Sequence, residues 1–220
     1  MNLELLKYIK HNGIAYNTED SSLFFYALTK MKHYKRFVEF GTGLGCTSLA
    51  VASAMKENGV GKCITFDNGR EYGHPRNESD TKSYSEFINE MVKKLEIQDH
   101  FVLSNKEIDF HITDELVDCV FSDFDRSVDT IEKLMEWAMY SMSDYSSIFI
   151  DGLSNYPEGF YYTRLLIKAL NENKPPNFLL DNKKFIEEHN FSLTTIRKQD
   201  KNNTGQGGMC WIKIEPNTLR

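Results

Sequence analysis

A run of alternating glycines and a few acids at the ends of apolar runs are the residues through which this sequence could do chemistry. Glu39-Phe40-Gly41-Thr42-Gly43-Leu44-Gly45 follows the apolar Arg36–Phe40 and precedes an Ala-rich stretch from Cys46. At a strand-to-helix junction, such glycines let the backbone turn sharply and approach a ligand, while the helix amino terminus offers N–H groups to it. The spacing is G-x-G-x-G with an acid two residues ahead, not the G-x-G-x-x-G of a dinucleotide site. No G-x-x-x-x-G-K-[ST] occurs, which excludes a P-loop. The chemistry that fits is binding of a nucleotide-like or carboxylate-bearing cofactor. Asp67 closes a second apolar run, and the carboxyl ends of strands are where open α/β sheets bind ligands.

Asp123, Asp125 and Asp151 end two later apolar runs, so their carboxylates would converge over the same sheet edge. Asp123 and Asp151 could hold a divalent cation such as Mg²⁺, which takes oxygen ligands in near-octahedral geometry and lets water replace a missing side chain. For proton transfer the candidates are Asp123 itself, His74 in a long loop after the second strand, and His111 after the third, since a histidine titrates near neutrality. Tyr156, Phe160, Tyr161 and Tyr162 fall at helical spacing, so they divide between a pocket wall and the core.

Positioning these residues requires short apolar runs alternating with helical stretches, the signature of a parallel sheet with crossover helices. Helices are expected at 2–12 and 20–33, then strands at 36–40, 62–66, 100–103, 117–123 and 146–151. Intervening helices are expected at 46–57, 82–95, 128–141 and 158–171. A strand-like 177–180, a short helix at 183–189 and a terminal antiparallel ribbon of 191–197 with 208–214 complete the chain. The polar stretch 67–80 is longer than the usual ~2 to 6 residues of a βα loop, as functional loops are.

The chain has 220 residues, of which 40% are apolar and 26% charged, enough to bury one full core in a single domain. A net charge of −6 gives no general field for polyphosphate or anionic lipid, and the basic runs 32–36 and 197–201 read as solvated faces. A nucleic-acid partner is therefore not expected. Glu4, Lys7 and Lys10 interrupt any leader-like apolar stretch, and no ~18-residue apolar run exists, so no membrane association is expected. Four scattered cysteines without a C-x-x-C pair read as buried thiols in a reducing cytoplasm.

The sequence resembles the class I S-adenosylmethionine-dependent methyltransferases. The resemblance rests on E-x-G-x-G-x-G at 39–45, Asp67 ending strand two, D-x-V-F-x-D at 118–123, and the antiparallel carboxy-terminal ribbon. The segments 36–55, 121–126 and 148–151 are most similar to the small-molecule O-methyltransferases of the catechol and caffeoyl-coenzyme A type. The resemblance implies a Rossmann-like, doubly wound, mostly parallel seven-stranded sheet with an antiparallel carboxy-terminal strand. Residues 1–220 would form one methyltransferase domain, its Rossmann-like core preceded by amino-terminal helices over 1–34.

For the site, the resemblance implies that Glu39, Gly41, Gly43 and Gly45 cradle the methionine part of S-adenosylmethionine. Thr47 or Ser48 would bind its carboxylate, Asp67 its two ribose hydroxyls, and Asn105 its adenine. Asp123 would lie beside the sulfonium and the substrate, with Asp123, Asp151 and His74 as the catalytic candidates. Two departures stand out. The metal-dependent members have Asp-Asn where this chain has Asp151-Gly152, and their catalytic lysine is Arg126 here, whose guanidinium does not deprotonate. The implied activity is methyl transfer to an oxygen, or a nitrogen, of a small molecule, with a homodimer admissible. An RNA or protein methyltransferase and a catalytically degenerate cofactor-binding module are the alternatives.

Overall fold

The computed structural model describes residues 1–13, 18–69, 83–108, 110, 115–198 and 207–217. Their packing forms two compact units, one from the described residues up to Ile108 and one from those beyond it.

The first unit begins with helices α1 (Leu3–Asn12) and α2 (Glu19–Lys32). Strand β1 (Arg36–Phe40), helix α3 (Cys46–Asn58) and strand β2 (Lys62–Phe66) follow, then helix α4 (Tyr84–Leu95) and strand β3 (Phe101–Ser104). Strand β1 pairs in parallel with β2, and β2 in parallel with β3. The run of small and apolar residues in α3 has a packing reason: every residue from Cys46 to Met55 is buried, so bulk on any face would collide with the sheet or with α2. Its end at Gly59, in the left-handed conformation, is the expected glycine stop. Helix α4 starts two residues inside the expected range, after a capping box in which Ser83 and Glu86 satisfy each other's backbone N–H.

The second unit contains β4 (Val117–Ser122), α5 (Val128–Ser141), β5 (Met142–Asp151), α6 (Pro157–Asn171), α7 (Lys183–Glu188), β6 (His189–Arg197) and β7 (Gly208–Pro216). Strands β4 and β5 are parallel, whereas β7 runs antiparallel to both β5 and β6. The order β3-β2-β1-β4-β5-β7-β6 is that of a seven-stranded, mostly parallel Rossmann-like sheet with an antiparallel strand near its carboxy-terminal edge.

Two expectations need correction. Asn177–Asn182 is a 3₁₀ helix, not a strand: Pro176 sets the entry, Leu179 N–H returns to the Pro176 carbonyl, and Leu179 alone of this apolar pair is buried. Strand β5 starts at Met142, directly where α5 ends, and not at Ser146. The extra residues are absorbed by a register shift, Val117 pairing with Met142 and Cys119 already with Ser147.

Candidate active site

In the first unit the glycine loop bridges β1 and α3, and its geometry explains the residue types. Gly41, Gly43 and Gly45 all have positive φ, at 94°, 51° and 74°. At Gly45 the restriction is double, because a Cβ would also lie 3.0 Å from Ile88 Cδ1. Both ends are tied down, Gly41 N–H donating to the Phe66 carbonyl and Gly45 N–H to that of Thr42. Two tyrosine hydroxyls clamp the outside, Tyr84 donating to the Gly43 carbonyl at 3.0 Å and Tyr8 to that of Leu44 at 2.6 Å.

Asp67 lies just past β2 and is half-buried. Its Oδ2 accepts the Gly43 amide at 2.9 Å and its Oδ1 the Gly69 amide at 2.7 Å. Each oxygen keeps a second lone pair, so an ionised carboxylate aimed by the loop can still receive two hydroxyl donors. Glu39 is 1% exposed. The Thr65 hydroxyl donates to its Oε2 at 2.6 Å and, at 2.5 Å, accepts from the Thr42 hydroxyl. Thr65 and Thr42 thus anchor the acid beneath the loop, a role with no motif to announce it.

Thr47 and Ser48 are buried in the first turn of α3. Their hydroxyls lie near chain partners, Ser48 donating to the Gly45 carbonyl at 3.4 Å and Thr47 sitting 3.4 Å from the Ser22 hydroxyl. What the helix start offers an anion is therefore mainly backbone N–H. Asn105 is exposed, just beyond β3. His74 and His111 lie outside the described residues.

The second unit gathers four charged side chains at the ends of β4, β5 and β6. Asp123 follows β4, Asp151 ends β5, and Arg126 opens towards both from the turn before α5. Lys198 arrives through strand register: Asp151 pairs with Met209, Met209 with Ile196, and Lys198 lies two residues past Ile196 at that same end. The close approach is helped by Gly208, where a Cβ would lie 2.1 Å from Ser154 Oγ.

The contacts are tight. Arg126 Nη2 lies 2.9 Å from Asp123 Oδ1 and 3.8 Å from Asp151 Oδ2, while its Nε and Nη1 donate to the Asp151 and Phe124 carbonyls. Lys198 Nζ is 2.6 Å from Asp151 Oδ1, an ion pair whose angles fall outside hydrogen-bonding geometry. The Asp151 side chain is fully buried, and those of Lys198, Arg126 and Asp123 are 6%, 10% and 13% exposed. Burial, reinforced by the neighbouring Asp151 charge and opposed by Arg126 and Lys198, pushes the Asp123 carboxyl up to about 7. Burial also raises Asp151, against the pull of Lys198 and Arg126.

Asp125 does not join this group. Its carboxylate accepts from the Ser127 hydroxyl and amide, the Thr130 hydroxyl and the Arg126 amide at the start of α5. These bonds overcome the effect of partial burial and hold it below the usual range. It braces the turn before α5, whose N-cap is Ser127.

The run 197–201, expected to be a solvated face, supplies Lys198 to the buried site. The same residues do not fit the Mg²⁺ expected on Asp123 and Asp151. Asp123 Oδ1 and Asp151 Oδ1 already face a guanidinium and an ammonium, Gly152 has no side chain, and Asn155 Oδ1 accepts from Ser154 at 3.4 Å. Among the described residues no three acidic, histidine or cysteine side chains form a group that could hold a metal ion.

The chain matches the family model described as "Methyltransferase domain" over residues 38–174, and it belongs to that family. Among solved structures it is similar to the cofactor-bound protein Rv0187 from MTB, with 14% identity, a TM-score of 0.60, and 90% of this chain and 81% of that one covered. It is also similar to the O-methyltransferase TomG of Streptomyces achromogenes in complex with SAM, with 13% identity, a TM-score of 0.58, and 98% and 91% covered. The O-methyltransferase of Bacillus cereus in complex with SAH gives 12% identity, a TM-score of 0.55, and 98% and 92% covered. At these identities the likeness establishes the fold. No curated protein matches the sequence. Among the described residues no helix is long and apolar enough to cross a membrane.

Proposed function

We propose that the protein is an S-adenosylmethionine-dependent methyltransferase that methylates an oxygen of a small molecule, working as one methyltransferase domain in the cytoplasm. The observation that carries this reading is Asp67 held by the Gly43 amide, which leaves both carboxylate oxygens able to receive a ribose diol. The two solved O-methyltransferases described above, one with SAM and one with SAH, support the cofactor and the acceptor atom. Four free, buried cysteines suit a reducing compartment.

When bound, S-adenosylmethionine supplies an electrophilic methyl group on a cationic sulfur. The chain contributes binding, orientation and a proton acceptor. Asp67 fixes the ribose, and the loop backbone with the α3 amino terminus receives the methionine portion. Asp123, its carboxyl raised to about 7, would accept the proton of the acceptor O–H, the methyl group itself being supplied by the cofactor. The proton then passes from Asp123 to water. Arg126 keeps its proton throughout and acts as a fixed charge. No step is routed through a metal ion.

The test is calorimetric titration with S-adenosylmethionine, S-adenosylhomocysteine and NAD. Micromolar binding of the two sulfur compounds with NAD silent is expected. Silence of both sulfur compounds would overturn the reading. Mass spectrometry of a hydroxyl-bearing acceptor panel then reads the acceptor atom, and methylation of RNA or protein alone would overturn the small-molecule part.

A further inference from the structure

Asp123 and Asp151 stand where the sequence resemblance places a divalent cation, yet the chain supplies its own cations there. Arg126 Nη2 bridges the two carboxylates at 2.9 and 3.8 Å, and Lys198 Nζ approaches Asp151 from its other oxygen at 2.6 Å. Two acids meet two cationic side chains within a buried volume. A dication entering it would have to displace both side chains, leaving an ammonium and a guanidinium buried without counter-charge, which is costlier than leaving the pairs intact. Breaking one buried pair is correspondingly destabilising, because the surviving charge has no water to turn to.

We propose that Lys198, together with Arg126, is the resident cation of this site, standing in for a divalent metal ion on the Asp123–Asp151 pair. Both are positioning residues: they hold the strand-end carboxylates in place and fix the local charge without touching the methyl group. Lys198 adds a mechanical link, since it follows β6 directly and its amide donates to the Gly207 carbonyl, closing the end of the β6–β7 ribbon beside Asp151. The inference rests on the proposed function only in taking the two carboxylates as part of the active site.

The test uses metal binding and stability, so it needs neither an acceptor nor turnover. Mn²⁺ is titrated into the full chain and followed by electron paramagnetic resonance, and thermal unfolding is measured in EDTA and in Mg²⁺. The expected result for the wild type is no saturable Mn²⁺ binding at millimolar ion and the same melting temperature in both media. Lys198→Met should lower the melting temperature in EDTA, bind Mn²⁺ at least about tenfold more tightly than wild type, and recover part of its stability in Mg²⁺, as expected of a ligand taking the vacated place. The double variant Lys198→Met with Asp151→Asn should lose the acquired Mn²⁺ binding and unfold at a higher temperature than Lys198→Met alone. If Lys198→Met does not fold, Arg126→Gln opens the Asp123 side and serves the same readout. Saturable Mn²⁺ binding to wild type that Asp151→Asn abolishes would overturn the proposal. So would a folded but destabilised Lys198→Met that gains no Mn²⁺ affinity, because Lys198 would then be only a structural ion pair. Failure of S-adenosylmethionine to bind would affect the functional reading and leave these outcomes intact.

Discussion

The Asp67 carboxylate is aimed by the loop it serves: its Oδ2 accepts the Gly43 amide at 2.9 Å, across 24 residues of sequence. Removing it frees the loop and deletes the proposed ribose acceptor together. Asp67→Ala is expected to weaken S-adenosylhomocysteine binding by about 2–3 kcal/mol, the value of one or two hydrogen bonds to a charged group. That is roughly 30- to 150-fold in Kd at about 1.4 kcal/mol per decade. Calorimetry on the folded variant checks it, and a change below about twofold would remove Asp67 from the cofactor site.

Thr65 supports the loop from below by donating to buried Glu39. Thr65→Val keeps the shape and deletes the donor, so the expected cost is about 1–3 kcal/mol, that of an unsatisfied buried acceptor. For a chain of this size this corresponds to a fall in Tm of roughly 2–4 °C per kcal/mol. An unchanged Tm would show that Glu39 does not depend on Thr65.

The raised carboxyl of Asp123 predicts a pH dependence of stability whose sign is fixed. An unfolded aspartate titrates near about 3.9 and the folded one at about 7, so between these values the native state binds the extra proton. Stability from this group is complete below about pH 4 and is lost as pH rises to about 7. Denaturant titrations across that window should show the decline, and Asp123→Asn should reduce it, the raised Asp151 carboxyl acting in the same sense. Asp125, held low, acts in the opposite sense and below that window, so the two are separable.

Burial pushes the Cys46 thiol up to about 12 and that of Cys210 to about 11, and Cys63 and Cys119 are also buried. A thiol must be both ionised and reachable to react. Native protein at pH 8 is therefore expected to leave all four cysteines unmodified by an aromatic disulfide reagent over minutes, with all four reacting in denaturant. Rapid titration of even one in the native state would contradict the buried placement.

Local chemistry in the chain determined much of this protein. Apolar runs such as 117–122 specified strands, Asn58-Gly59 stopped α3, and the alternating glycines after Glu39 marked a tight strand-to-helix turn, because each of these depends on the residue and its immediate neighbours. Asp67 was legible for the same reason, as an acid at a strand's carboxyl end. The 3₁₀ turn at Asn177–Asn182 was not, since an apolar run of that length is a strand only if a neighbour pairs with it. Thr65 beneath Glu39 and Lys198 beside Asp151 were equally hidden. In sequence Lys198 is one cation in a basic run, 47 positions from its partner, and only the register of β5, β7 and β6 brings it to Asp151. A buried cluster of two acids and two cations in place of a metal site is therefore a decision of the tertiary structure, because the balance of buried charges depends on which side chains meet and not on which residues adjoin.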